Sequence, residues 1–190
     1  MRNRLYRALR RFPAARRGVA AVEFALILPL MLTLYLGTME VSDLIAVDRK
    51  VTVISGTIAD LVARADTTVT TARLSDFFRA SEGMIMPYRP QPLRQTVTFL
   101  TVAANGTATV AWSCGFNGGS ARGVSSTVTL PSATRAVAQE VGFVVMSDVE
   151  YAYRPLLGVV IGSAINLRQV NYFAPRYRKA ISRTGACPTS

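Results

Sequence analysis

RRGVAAVEFALILPLMLTLYLG, residues 16–37, decides how the rest of the chain is read. Residues 19–39 form an apolar run of 21 positions with one charged side chain, Glu23. At 1.5 Å per residue, a helix of about 20 apolar residues covers the ~30 Å hydrocarbon layer of a bilayer. A core helix of a soluble domain rarely runs this long without a polar face. Arginines crowd one end of the run. Seven of the 22 basic residues (Arg2, Arg4, Arg7, Arg10, Arg11, Arg16 and Arg17) precede Gly18, and no acid does. Basic residues within about 15 positions of a span hold that end in the cytoplasm, which sends the remainder of the chain to the other side. A cleavable secretory signal would have a shorter apolar part and a small-x-small cut site after it. A mitochondrial presequence would share the arginines but also carry Ser or Thr, absent before Gly18. Glu23 is the anomaly, because a carboxylate at the bilayer centre costs about 2.5–3.5 kcal/mol and less near an interface. It either snorkels to the surface or has a partner charge in the membrane.

Composition narrows the function. The chain has 190 residues, half of them apolar, a net charge of +11 and a mean hydropathy of +0.27. That is room for one modest domain plus an anchor. Beyond the leader lie 15 basic and 11 acidic residues, so the charge belongs to the leader and no basic face is left to follow nucleic-acid phosphates. Histidine is absent, which removes the commonest general base and metal ligand. With no nucleotide fingerprint and no nucleophile beside a recognisable base, a membrane-tethered enzyme has no support. We expect no catalytic residues, no metal and no cofactor.

The residues around Glu23 resemble a type IV prepilin leader: basic residues, a terminal Gly, an apolar helix, and Glu as the fifth residue after the cut. Gly18 followed by Val19, Ala20, Ala21, Val22 and Glu23 meets that spacing. Ala21, Val22, Glu23, Phe24, Ala25 and Pro29 further resemble the TadE/TadG-like pseudopilins of the tight-adherence (Tad) pilus system. Val19 stands where classical type IV pilins prefer Phe. VVMSDVEYAYRPLLG (residues 144–158) and NYFAPRYR (residues 171–178) look like that family's C-terminal aromatic strand and Pro-Arg tail. The resemblance implies cleavage between Gly18 and Val19 by a prepilin peptidase, and subunit assembly through Glu23 and Phe24. The freed α-amine of Val19 would pair with Glu23 of a neighbouring helix, since a paired buried charge is tolerable and a lone one is not. Implied partners are the inner membrane, the peptidase, other pilins or pseudopilins, and Tad inner-membrane assembly components. The implied localisation is the bacterial inner membrane, single pass, with a periplasmic head and incorporation into an extracellular pilus. The alternative is an uncleaved bitopic assembly or anchoring factor, in which Glu23 pairs with a partner helix.

Past Glu40 the apolar residues Leu44, Val47, Val51, Ile54, Ile58 and Leu61 recur every three or four positions, a one-sided helical stripe. The stripe packs either on its own domain or on a partner in a coiled coil. Asp43, Asp48, Arg49, Ser55, Asp60 and Arg64 take the other sides, with Asp60 and Arg64 spaced as an ion pair. The helix then runs over residues 19–63, and Pro29 should kink it. A second helix is expected over residues 71–82, ending at Gly83. TVTFLTVAANGTATVAWSC (residues 96–114) reads as a hairpin about a type I′ turn at Asn105-Gly106, placing Val97 opposite Cys114, Phe99 opposite Trp112, and Thr101 opposite Val110. Residues 115–126 read as a surface loop. Residues 141–153 alternate, with Val141, Phe143, Val145, Val149, Tyr151 and Tyr153 inward and Asp148 and Glu150 outward as solvated acids. LLGVVIGSAI (residues 156–165) is too short to span and is expected as a buried helix or strand, membrane contact remaining open. Cys114 and Cys187 both fall outside the cytoplasm, where disulfides persist, so we expect them to pair rather than remain free thiols.

The expected architecture is α+β and pilin-like. It comprises a basic leader (1–18), a transmembrane helix (19–39), its extracytoplasmic continuation (40–64), and a small head (65–190) with a second helix and an antiparallel sheet.

Overall fold

The computed structural model describes residues 18–189, so the leader arginines lie outside it. The expected long helix is present as α1, Val19–Ala63, 45 residues with Pro29 inside it. Two compact units divide the chain. One holds the helix up to Asp43 with Pro155–Ser163; the other holds Leu44–Arg154 and Ala164–Ser190.

In the larger unit the remaining elements are β1 (Thr68–Thr70), α2 (Thr71–Met84), β2 (Leu93–Val102), β3 (Ala108–Phe116), β4 (Thr127–Val128), α3 (Ser132–Val141), β5 (Phe143–Tyr153), β6 (Ile165–Phe173) and β7 (Ser182–Thr184). Five strands form an antiparallel sheet in the order β4-β3-β2-β5-β6. β1 and β7 make a separate parallel pair. The fold is α+β, as expected.

The stripe on α1 packs on its own domain. Val47, Val51, Ile54 and Ile58 are fully buried with Val97, Phe99, Trp112, Val145 and Val149 from one face of the sheet. The stripe ends on Val62 rather than Leu61, which is only half-buried. Ser55 is also buried, against expectation. Its hydroxyl donates to the Ser147 carbonyl at 3.0 Å, which makes a small polar residue acceptable inside the seam. α2 begins where expected, the Thr70 hydroxyl accepting from the Arg73 amide, and it buries Leu74 and Phe78. Asp60 bonds Arg64 as the spacing predicts and also takes Arg176 at 3.2 Å. The Arg64 hydrogen bond holds the Asp60 carboxyl below its usual range.

The hairpin departs from expectation at its turn. Gly106 alone adopts a positive φ of 83°, and its amide bonds the Ala103 carbonyl at 2.8 Å. A type I′ turn needs two such residues, so the connection is instead a three-residue loop closing on a left-handed glycine. Val97 opposite Cys114 and Phe99 opposite Trp112 hold, but Thr101 faces Thr109, and Val110 faces Leu100. A bulge at Ala111 restores the register. It also turns Val110 to the opposite face, where Leu100, Val102, Ala108, Leu130, Ala138, Val144 and Met146 form a second core under α3. Val141 belongs to α3, not to β5.

Two further expectations are corrected. Asp148 is buried and paired rather than solvated, because Arg122 and Arg168 close over it. Residues 156–164 are neither buried nor regular, with Leu156 94% exposed. Gly158 and Gly162 interrupt any helical period there.

Cys114 and Cys187 form a disulfide, with Cα atoms 5.3 Å apart. The Trp112 indole N–H donates to the Ile181 carbonyl at 2.7 Å, and β7 lies beside β1. The C-terminal segment is therefore tied to the hairpin and to the base of α2. Closing a loop with a sequence separation of 73 residues contributes about 4 kcal/mol on a chain-entropy basis. Replacing both cysteines with Ser should lower the unfolding free energy of the solubilised protein by up to that amount in a denaturant titration; an unchanged midpoint would show the bridge to be energetically idle.

Candidate membrane and assembly site

From Val19 to Leu34 every residue of α1 is exposed, including Val22 (60%), Phe24 (64%), Leu26 (72%) and Leu30 (58%). An 18-residue window of the helix has mean hydropathy 2.1 with none of it buried. By length and composition it is a candidate single membrane span. Thr33, Thr38 and Ser42 return their hydroxyls to the carbonyls of Pro29, Leu34 and Thr38, so these polar groups need no water. Pro29 has no N–H for the Ala25 carbonyl, one turn back. Gly18 stands at the start of the helix and Glu23 near its first turn. Among the described residues no ion pair includes Glu23. Its carboxylate has apolar neighbours along the exposed helix: Val19 and Ile27 lie four residues either way.

At the other end of the apolar run, Glu40 has a defined set of donors. Its carboxylate accepts from three consecutive backbone amides, Val159 (2.7 Å), Val160 (3.0 Å) and Ile161 (3.1 Å). Gly158, at φ +66°, turns the chain so that these amides converge. Glu40 is consequently only 4% exposed. One turn earlier, a Cβ on Gly37 would stand 2.8 Å from a methyl of Val160, so the loop lies directly on the helix.

Residues 18–53 match the family model described as TadE-like protein. No curated protein and no solved structure matches the chain. The match supports a membrane protein associated with the Tad pilus, and one N-terminal apolar helix supports a single pass. The TadE-like segment contains Gly18 and, on one continuous helix, Val19, Glu23, Phe24, Pro29 and Glu40. Cys114 and Cys187 lie outside it.

A third cluster lies beyond the TadE-like segment, on the sheet face away from α1. Arg168 Nε donates to Asp148 Oδ1 at 2.9 Å, and Arg122 Nη2 reaches Oδ2 at 3.3 Å. Asp148 raises the Arg168 guanidinium further above its ordinary value, first through that hydrogen bond. Arg94, Thr96, Glu150 and residues 118–121 complete a polar cavity of about 290 Å³. Its buried acid is already taken up by arginines, so the geometry is that of a clasp fastening the loop after β3 to β6. No group of three or more acids and cysteines is placed to hold a metal among the described residues.

Sequence reasoning assigned no role to Glu40 or to the Asp148 cluster. The signal for Glu40 was present: an acid closing one apolar run and a second apolar stretch too short to span. Asp148 had no such signal, since its arginines come from residue 122 and residue 168. We expect Asp148→Asn to destabilise the head by about 2 kcal/mol, because it breaks charge-assisted hydrogen bonds at a buried oxygen. The more exposed Glu150→Gln should change stability by less than about 0.5 kcal/mol. Denaturant midpoints of the two variants would separate these roles.

Proposed function

We propose that this chain is a non-enzymatic, TadE-like pseudopilin, a pilus-assembly protein of the tight-adherence system. Its N-terminus stays in the cytoplasm, its disulfide-bonded head lies in the periplasm, and a prepilin peptidase cleaves after Gly18. The observation that carries this reading is the exposed apolar helix whose one acid, Glu23, lies five residues beyond Gly18 and has no ion-pair partner among the described residues. A helix exposed on all sides needs lipid or other helices around it. A carboxylate among those apolar side chains favours the one helix stagger that brings it a cation. Cleavage creates that cation, the α-amine of Val19 on a neighbouring subunit, and the same geometry leaves Phe24 free to pack between helices. Partners are then other pilins or pseudopilins and the inner-membrane assembly components, without nucleic acid. The disulfide favours an oxidising compartment for the head.

Mass spectrometry of the purified protein should find Val19 as its first residue, methylated or not. Retention of residues 1–18 would overturn cleavage and leave an uncleaved anchoring factor. Glu23→Ala should insert and be processed normally but fail to assemble. Normal assembly of that variant would remove the pairing role.

A further inference from the structure

Residues 155–163 have no place in the reading above, yet they are the most apolar exposed loop of the described chain. Pro155, Leu156, Leu157, Gly158, Val159, Val160, Ile161, Gly162 and Ser163 include no charged side chain. Leu156, Leu157, Val159 and Val160 are 94%, 56%, 47% and 56% exposed. Such a patch in water is unfavourable and marks a surface that something apolar covers.

The same compact unit indicates what covers it. Val160 rests on Gly37, within the last turn of the apolar run of residues 19–39, and Glu40 binds the loop one turn further on. The loop is therefore fastened to α1 at the end of its apolar run. Around it, Leu34, Tyr35, Met39 and Val41 of α1 are also exposed, so the apolar surface of the loop continues that of the span. Backbone amides facing lipid must be satisfied within the protein. The Glu40 carboxylate does this for the three amides nearest the helix, and they in turn shield a charge placed at the edge of the apolar run.

We propose that residues 155–163 form a membrane-anchoring loop, held by Glu40 and inserting Leu156, Leu157, Val159 and Val160 into the leaflet at which α1 emerges. Its occupant is the lipid bilayer at the headgroup–acyl boundary. At this length the loop can dip into that boundary but cannot cross the bilayer. The proposal rests on α1 crossing the membrane.

The test uses the full-length oxidised chain in phosphatidylcholine–phosphatidylglycerol nanodiscs. The native cysteines are paired and do not take label. An environment-sensitive fluorophore is attached in turn to Leu156→Cys, to Leu26→Cys in the span, and to Ala133→Cys on α3. Quenching is read with lipids carrying a nitroxide near the ester or near the chain end. Label at 156 should lose about half its emission with the shallow nitroxide and much less with the deep one, as for an interfacial residue. Label at 26 should be quenched in the acyl region and label at 133 should not be quenched. Adding Glu40→Gln, which keeps the shape but removes the charge, should reduce quenching at 156 and leave that at 26 unchanged. Quenching at 26 without quenching at 156 would overturn the loop while leaving the span intact. No quenching at either would overturn both. An emission change at 156 that appears only as protein is crowded in the disc, without quenching, would assign the patch to a second copy of the chain and overturn the lipid assignment.

Discussion

One helix has to meet two different surroundings, and the rest of the structure follows from how it does so. Over residues 19–34 α1 is apolar and exposed on every side, which suits lipid or neighbouring helices. From Val47 onward it is apolar on one side only, and that side is sealed by the sheet. The change from an all-round to a one-sided pattern occurs within one unbroken helix, around Glu40 and Asp43. The chemistry of the side chains alone moves the helix from one environment to the next.

The sheet meets this helix with one face and needs cover on the other. A single extra residue in β3 settles how the two faces are shared. By shifting register at Ala111, it keeps Phe99 and Trp112 stacked toward α1, ring centroids 6.0 Å apart, and sends Val110 to the far side. There, α3 covers the apolar end of the face, while the Asp148 clasp covers the polar end. The C-terminal segment is fastened to β3 on the α1 side through the disulfide and the Trp112 hydrogen bond, and to β1 through β7.

Three acids in this chain pose the same physical problem, a carboxylate that needs compensation where free water is not its partner. Asp148 is met by two arginines brought from distant strands and loops. Glu40 is met by three backbone amides of a loop 119–121 residues away in sequence. Glu23 has no ion-pair partner among the described residues, and its neighbours along the helix are apolar. The first two are solved within the fold and serve stability. The third has no such answer among the described residues.

Much of this was legible from residue order. The apolar run, its one acid, the stripe from Leu44 to Ile58, the second helix, and the facing of Phe99 with Trp112 all depend on neighbours a few positions apart. Periodicity and spacing are enough to read such features. The turn type, the bulge and the side on which Val110 falls were not legible, because one inserted residue reverses a face without altering composition. The partners of Glu40 and Asp148 were not legible either. Both depend on segments more than 15 residues away in the chain. Sequence alone thus determined that the chain has an apolar helix long enough to cross a membrane and an α+β head, since length and helical period are local properties. Only the tertiary structure decided that the short apolar stretch after β5 folds onto the end of the span, since that contact exists only once Glu40 and the amides of residues 159–161 have been brought together.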